Sequence, residues 1–192
     1  MSNNGFTAEF ISQMTNLKNS YLLSFATVDL LNHDDVLSIL EKDSFTTGTF
    51  DFKFSDICTL VRKSKQNNNR DFEILIWEFL MFSTRALLVN LYESLKEDSL
   101  RYSLVKDTDW FVFLSNLRHS LAHGINANWK INSFGKTEIF YKRMCDKTKI
   151  VIQKEWDNQP MRFEQIGGWI TTIDLIQFIS SESEKFLFRT DK

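Results

Sequence analysis

The chain has 192 residues, enough for one compact domain with a real core. Its 43% hydrophobic and 25% charged residues are ordinary for a globular protein, and a net charge of −2 excludes a generic nucleic-acid coat protein, which would be strongly basic. Only one Pro and 6 Gly stand against 18 Phe and 5 Trp, a balance that favours long helices over a turn-rich β fold.

Phe6, Phe10, Met14, Leu17, Tyr21, Phe25 and Val28 recur every three or four residues, so a long amphipathic helix is predicted from about 6 to 32. Asp34 or Asp35 can cap a short helix through Leu40. Phe50, Phe52 and Phe54 alternate with polar residues and predict an extended segment, after which Ser55 caps a helix over 56–63. Gln66-Asn67-Asn68-Asn69 reads as a polar loop. Residues 71–97 are apolar around most of a helical circumference, from Phe72 through Leu95, and are expected to be central. Asp107 or Thr108 opens the next helix, and Gly124 stands where a C-terminal cap belongs. Three strands are then expected, 125–131, 136–142 and 149–153, the first two joined by a turn at Ser133-Phe134-Gly135. From Trp169 to Phe188 the helical period returns. With no repeat and no boundary visible, the expectation is a mainly α fold: one helical bundle over 1–192, with a β-hairpin insert at about 125–155 before its last helix.

No run approaches the roughly 18 apolar residues of a membrane span, so no membrane partner is expected. Met1-Ser2-Asn3-Asn4-Gly5 shows no basic stretch before an apolar block, and Cys58 and Cys145 stand alone. These point to a cytoplasmic address with reduced thiols. No glycine-rich phosphate loop is present, and no cofactor is implied.

The chemistry concentrates in Arg118-His119-Ser120-Leu121-Ala122-His123-Gly124, at the end of an apolar helix. Ionisable side chains are costly there unless they act or reach water. A neutral His123 can take the proton of a ribose 2′-hydroxyl, whose oxygen then attacks the adjacent phosphorus. Arg118 can hold the phosphate and stabilise the added negative charge, while His119 or a second His123 protonates the leaving oxygen. No metal is needed, and the nucleophile restricts the substrate to RNA. Arg118 and His123 lie roughly 140° apart on an ideal helix, so one chain brings them together poorly; a two-fold axis would combine two copies. Phe111, Val112, Ser115, His119 and Ala122 form a mixed side of apolar and small residues, open to close approach by a second protomer or by a neighbouring helix of the same chain.

Basic residues cluster from Lys130 to Lys154, opposed only by Glu138 and Asp146; Lys142, Arg143, Lys147 and Lys149 are the candidate RNA contacts. Trp129, Phe134 and Tyr141 are candidates to stack on unpaired bases. A second island, Arg62, Lys63, Lys65 and Arg70, contains no acid. Structural alternatives exist: Arg118 as an ion-pair partner of Glu73 or Glu78, and His119 with His123 as zinc ligands. For zinc, Ser120 stands where a metalloprotease needs Glu, and no third ligand is nominated.

Arg118 to His123 matches R-x4-H, and with His119 after the arginine the stretch resembles the motif of the HEPN superfamily. The resemblance implies a compact helical bundle that dimerises through the motif helix. It also implies a metal-independent endoribonuclease of a toxin–antitoxin or antiphage system, with an antitoxin or defence partner protein. Arg118 and His123 would be its catalytic pair, assisted by His119.

Overall fold

A computed structural model describes residues 5–47, 50–67, 69–122 and 128–188. They form seven α-helices: α1 (Ala8–Leu31), α2 (Asp34–Leu40), α3 (Phe54–Asn67), α4 (Asn69–Glu97), α5 (Ser99–Val105), α6 (Asp109–Leu121) and α7 (Gly168–Phe188). Strands β1 (Ser44–Thr47) and β2 (Phe50–Lys53) pair antiparallel, as do β3 (Ile139–Lys142) and β4 (Lys149–Ile152). The fold is therefore mainly helical, with a two-stranded hairpin before the final helix.

Local sequence explains most boundaries, and several expectations need correction. His33 occupies the cap position of α2, while Asp34 and Asp35 sit in its first turn, where carboxylates meet the positive end of the helix dipole. Phe54 opens α3 instead of extending the strand, and α3 runs on to Asn67. Gln66 and Asn67 of the expected polar loop belong to α3 and Asn69 opens α4; Asn68 lies outside the described residues. A helix not foreseen, α5, is capped by Asp98, whose Oδ1 accepts the Leu100 and Arg101 amides at 2.9 Å. Thr108 caps α6 through the Phe111 amide, and α6 ends at Leu121, with Gly124 outside the described residues.

The hairpin is also re-registered. β3 pairs with β4, Ile139 opposite Ile152 and Lys142 opposite Lys149, so the connecting turn is 143–148. The turn at Ser133-Phe134-Gly135 does form, closed by the Lys136 amide on the Ser133 carbonyl at 2.8 Å, with φ of 49° at Phe134 and 79° at Gly135. It joins no two strands, because residues 128–131 make a single bridge, Asn128 to Pro160, and no ladder; residues 125–127 lie outside the described set.

Contacts group the chain into two units, 22–83 and 1–21 with 84–192, and the division falls inside α1 and α4 instead of at a linker. In the first unit Leu37, Cys58, Val61 and Phe72 form a small core flanked by Leu31, Leu40 and Ile76. In the second, every residue of α6 from Phe111 to Leu117 is buried, as are Leu88, Leu91 and Leu95 of α4 and Leu175, Ile176 and Ile179 of α7; Phe111 stacks on Tyr92 of α4 and Trp110 meets Phe178 of α7 edge-on at 6.2 Å. Phe6 stacks on Phe186 at 4.7 Å. Gly5, at φ 77°, lets the chain pass against Asp98 and Arg101, where a Cβ would come within 2.3 Å of Asp98 Oδ1. The buried Arg101 then reaches the Gly5 carbonyl at 2.7 Å and the Ser94 carbonyl near the end of α4 at 2.6 Å. By length and composition alone, 70–97 is apolar enough to cross a membrane, contrary to the sequence expectation that no such run exists; a third of its apolar window is buried.

Candidate functional site

The last two turns of α6 carry two jobs on adjacent faces. Asn116 and Ser120 are fully buried polar residues four apart. Asn116 Nδ2 donates to the Asn132 carbonyl at 2.9 Å and its Oδ1 accepts the Asn132 amide at 2.7 Å. Ser120 Oγ accepts the Lys130 amide at 3.0 Å. Four residues of helix rise about 6 Å and two residues of extended chain about 6.6 Å, so the spacings match. Odd-numbered residues bond the other way: the Trp129 amide to the Gln159 carbonyl at 2.8 Å and the Ile131 amide to Asp157 Oδ1 at 3.0 Å. The expected strand here is thus extended chain whose partners are a helix's side chains and a loop.

His119 stands beside this pinned segment. It lines a polar cleft of about 390 Å³ with Lys130, Ile131, Asn132, Asp157 and Asn158. Its Nδ1 lies 3.4 Å from Ser115 Oγ, and its ring meets Tyr92 edge-on at 5.8 Å. Burial, followed by the neighbouring Arg118 guanidinium, pushes its pKa below the usual histidine value, so the imidazole is neutral near pH 7.

Arg118 takes another direction. Its Nη2 donates to Glu93 of α4, and its guanidinium lies 5.2 Å from the Tyr92 ring centroid. The ion-pair partner is therefore Glu93, not Glu73 or Glu78. Arg118 Nε is buried without a hydrogen-bond partner, so the guanidinium is only partly satisfied. His123 lies outside the described residues. Of the mixed side of α6, Phe111, Val112 and Ser115 are buried within the chain, Phe111 stacking on Tyr92 at 5.4 Å and meeting Tyr102 at 5.7 Å, while His119 and Ala122 are half-buried. Among the described residues, no three His, Cys, Asp or Glu side chains gather as a metal site.

The hairpin's cations are unequal. Arg143 holds Asp146 at 2.5 and 3.1 Å and reaches Thr171 Oγ1, which ties it to the turn. Lys149 pairs with Glu138 at 2.6 Å. Lys142 and Lys147 are exposed and form no ion pair among the described residues. Lys142 lines a groove of about 510 Å³ with Trp110, Phe140 and Phe178, at the opposite end of α6 from His119. Of the expected base-stacking aromatics, Trp129 and Tyr141 are buried and only Phe134 is exposed. Tyr141 donates to Asp174 Oδ2 at 2.6 Å, and that carboxylate also accepts the Met144 and Cys145 amides at 2.8 Å. In the 62–70 island, Arg62 pairs with Glu41 at 2.7 Å and Lys65 with Asp34 at 3.5 Å, acids that the local sequence did not reveal.

Comparison with protein-family models, curated proteins and solved structures finds no match to this chain. The functional reading rests on the residues themselves. Sequence reasoning missed Asn116, Asp157, Asn158 and Glu93 and the backbone-holding role of Ser120; two uncharged polar residues four apart, on one face of a helix rich in apolar residues, were the available signal for Asn116 and Ser120.

Proposed function

We propose that this chain is a metal-independent endoribonuclease of HEPN type, acting as a homodimer on RNA in a toxin–antitoxin or antiphage setting. The observation that carries the reading is a neutral imidazole, His119, opening on a polar cleft one residue after a partly satisfied guanidinium, Arg118. A neutral imidazole accepts the 2′-hydroxyl proton; the 2′-oxygen attacks phosphorus, and the 5′-oxygen leaves with a proton from a second histidine. His119 and His123 supply the two proton-moving groups, and Arg118 the positive charge on the phosphate once RNA competes with Glu93.

The test is cleavage of single-stranded RNA by the purified chain in excess chelator. Cleavage is expected to survive chelation and to fall at least about a hundred-fold in Arg118→Ala and His123→Ala, the usual scale for a lost acid–base or charge-stabilising group. Full activity in either variant, or loss of activity on chelation, contradicts the assignment. The Arg118–Glu93 pair favours a second reading, a HEPN-like module that binds RNA or a protein without cutting. That reading expects RNA retention with no strand scission.

A further inference from the structure

We propose that the cleft beside α6 is a subsite for one RNA phosphodiester, with Lys130 as the cation that meets it next to His119. This rests on the ribonuclease reading but assigns a residue and a ligand that the R-x4-H stretch does not contain.

Three observations converge. First, the guanidinium one residue from His119 is not a lining group of the cleft, since it is held on Glu93 and Tyr92. Second, Lys130 is the cation among the described residues that line the cleft, and none of the described carboxylates forms an ion pair with its ammonium. Lys130 Nζ donates to Asn158 Oδ1 at 2.7 Å, which leaves two of its three N–H donors for a ligand. Third, the arrangement is built from buried parts. Ser120 holds the Lys130 amide, Asn116 holds both backbone groups of Asn132, and neither side chain is exposed to solvent.

The charges select the ligand. Asp157 shares the cleft, with Oδ1 on the Ile131 amide and Oδ2 accepting Asn158 Nδ2 at 3.0 Å. Its negative charge offsets that of Lys130, and His119 is neutral, so the charges of the described lining residues sum to zero. A singly charged phosphodiester accepting hydrogen bonds from an ammonium fits such a site. A doubly charged phosphate monoester meets the Asp157 carboxylate at greater cost. Asn158, at φ 62°, is held in the left-handed region that asparagine tolerates better than most residues, and this keeps its amide beside Lys130.

The test uses a short RNA with 2′-O-methyl groups throughout, which cannot be cut, so binding is read apart from chemistry. Anisotropy titration is expected to show about ten-fold weaker binding by Lys130→Gln, with Lys130→Arg restoring most of it, as for loss and return of one charge-assisted contact. In NMR titrations the His119 pKa is expected to rise when the RNA binds, and not in Lys130→Gln. Inorganic phosphate is expected to compete poorly with the RNA. Lys130 is exposed, so the fold survives the substitution. Unchanged affinity in Lys130→Gln, no binding by the wild-type chain, or a His119 that ignores bound RNA overturns the proposal. Binding through Lys130 with no cleavage of ordinary RNA upholds the subsite and ends the ribonuclease reading. Cleavage undiminished in Lys130→Gln does the reverse.

Discussion

At the scale of single residues, Arg118 is the most informative because two roles compete for it. Its side chain is 26% exposed and that of Glu93 48%, so the pair is screened and worth no more than about 1 kcal/mol. Glu93→Gln is therefore expected to change urea-unfolding stability by less than about 1 kcal/mol while raising RNA affinity, because the guanidinium no longer has a competing carboxylate. Loss of affinity would show that Glu93 positions Arg118 instead of competing for it. His119 has a sign that can be checked. Its folded-state pKa is lowered from 6.5, so the folded chain binds fewer protons than the unfolded one below that value. Its contribution is complete above about pH 6.5 and is lost as pH falls from there through the lower folded-state pKa. In His119→Gln this part of the stability–pH profile is expected to flatten; an unchanged slope contradicts the assignment.

Asp174 gives the opposite case. Burial raises its pKa, but the hydrogen bonds from Tyr141, Met144 and Cys145 outweigh burial and hold the carboxyl below its ordinary 3.8. Its contribution is present above that value and lost as pH falls through the lower folded-state pKa. Asp174→Asn is expected to cost about 2–3 kcal/mol, a charge-assisted network lost in a buried site, with early loss of amide protection at Met144 and Cys145. A cost near zero would mean the hairpin is held by packing alone.

Among elements, α6 shows what the sequence carries and what it does not. Its start at Thr108 and its apolar burial were legible, because a cap and a 3.6-residue period are local signals. The two long helices α1 and α4 and the last helix α7 were legible for the same reason. The partner of 128–132 was not, since alternation reports an extended chain but not what it bonds to. Here the partner is Asn116 and Ser120, and the ladder passes instead to 139–142 and 149–152. Charge runs misled similarly: Asp34 at the start of α2 and Glu41 just after its end pair with cations of the basic island, and Asp146 takes Arg143 three residues away. Asn116→Leu removes both bonds to Asn132 while keeping volume. It is expected to cost about 2–3 kcal/mol, to raise hydrogen exchange at Asn132, and to weaken RNA binding through Lys130 without touching it. Unchanged exchange at Asn132 would mean the turn, not α6, holds the segment.

For the whole molecule, the mainly α class with a late hairpin was readable from the scarcity of Pro and Gly and from the period change after α6. The grouping into two units was not, because it cuts through continuous helices and leaves no compositional linker. Phe111 is taken up by Tyr92 and Tyr102 of its own chain, so of the mixed side of α6 only the half-buried His119 and Ala122 end is left for the proposed homodimer. Sedimentation is expected to give twice the 22.6 kDa chain mass at micromolar concentration; a monomer there would confine the chemistry to one subunit. The most direct measurement is the chemistry of the RNA ends left by the purified protein in excess chelator. Attack by a 2′-oxygen predicts 2′,3′-cyclic phosphate and 5′-hydroxyl ends, with no cut where the ribose is 2′-deoxy. Ends bearing 3′-hydroxyl and 5′-phosphate, or cutting at 2′-deoxy positions, would contradict the account.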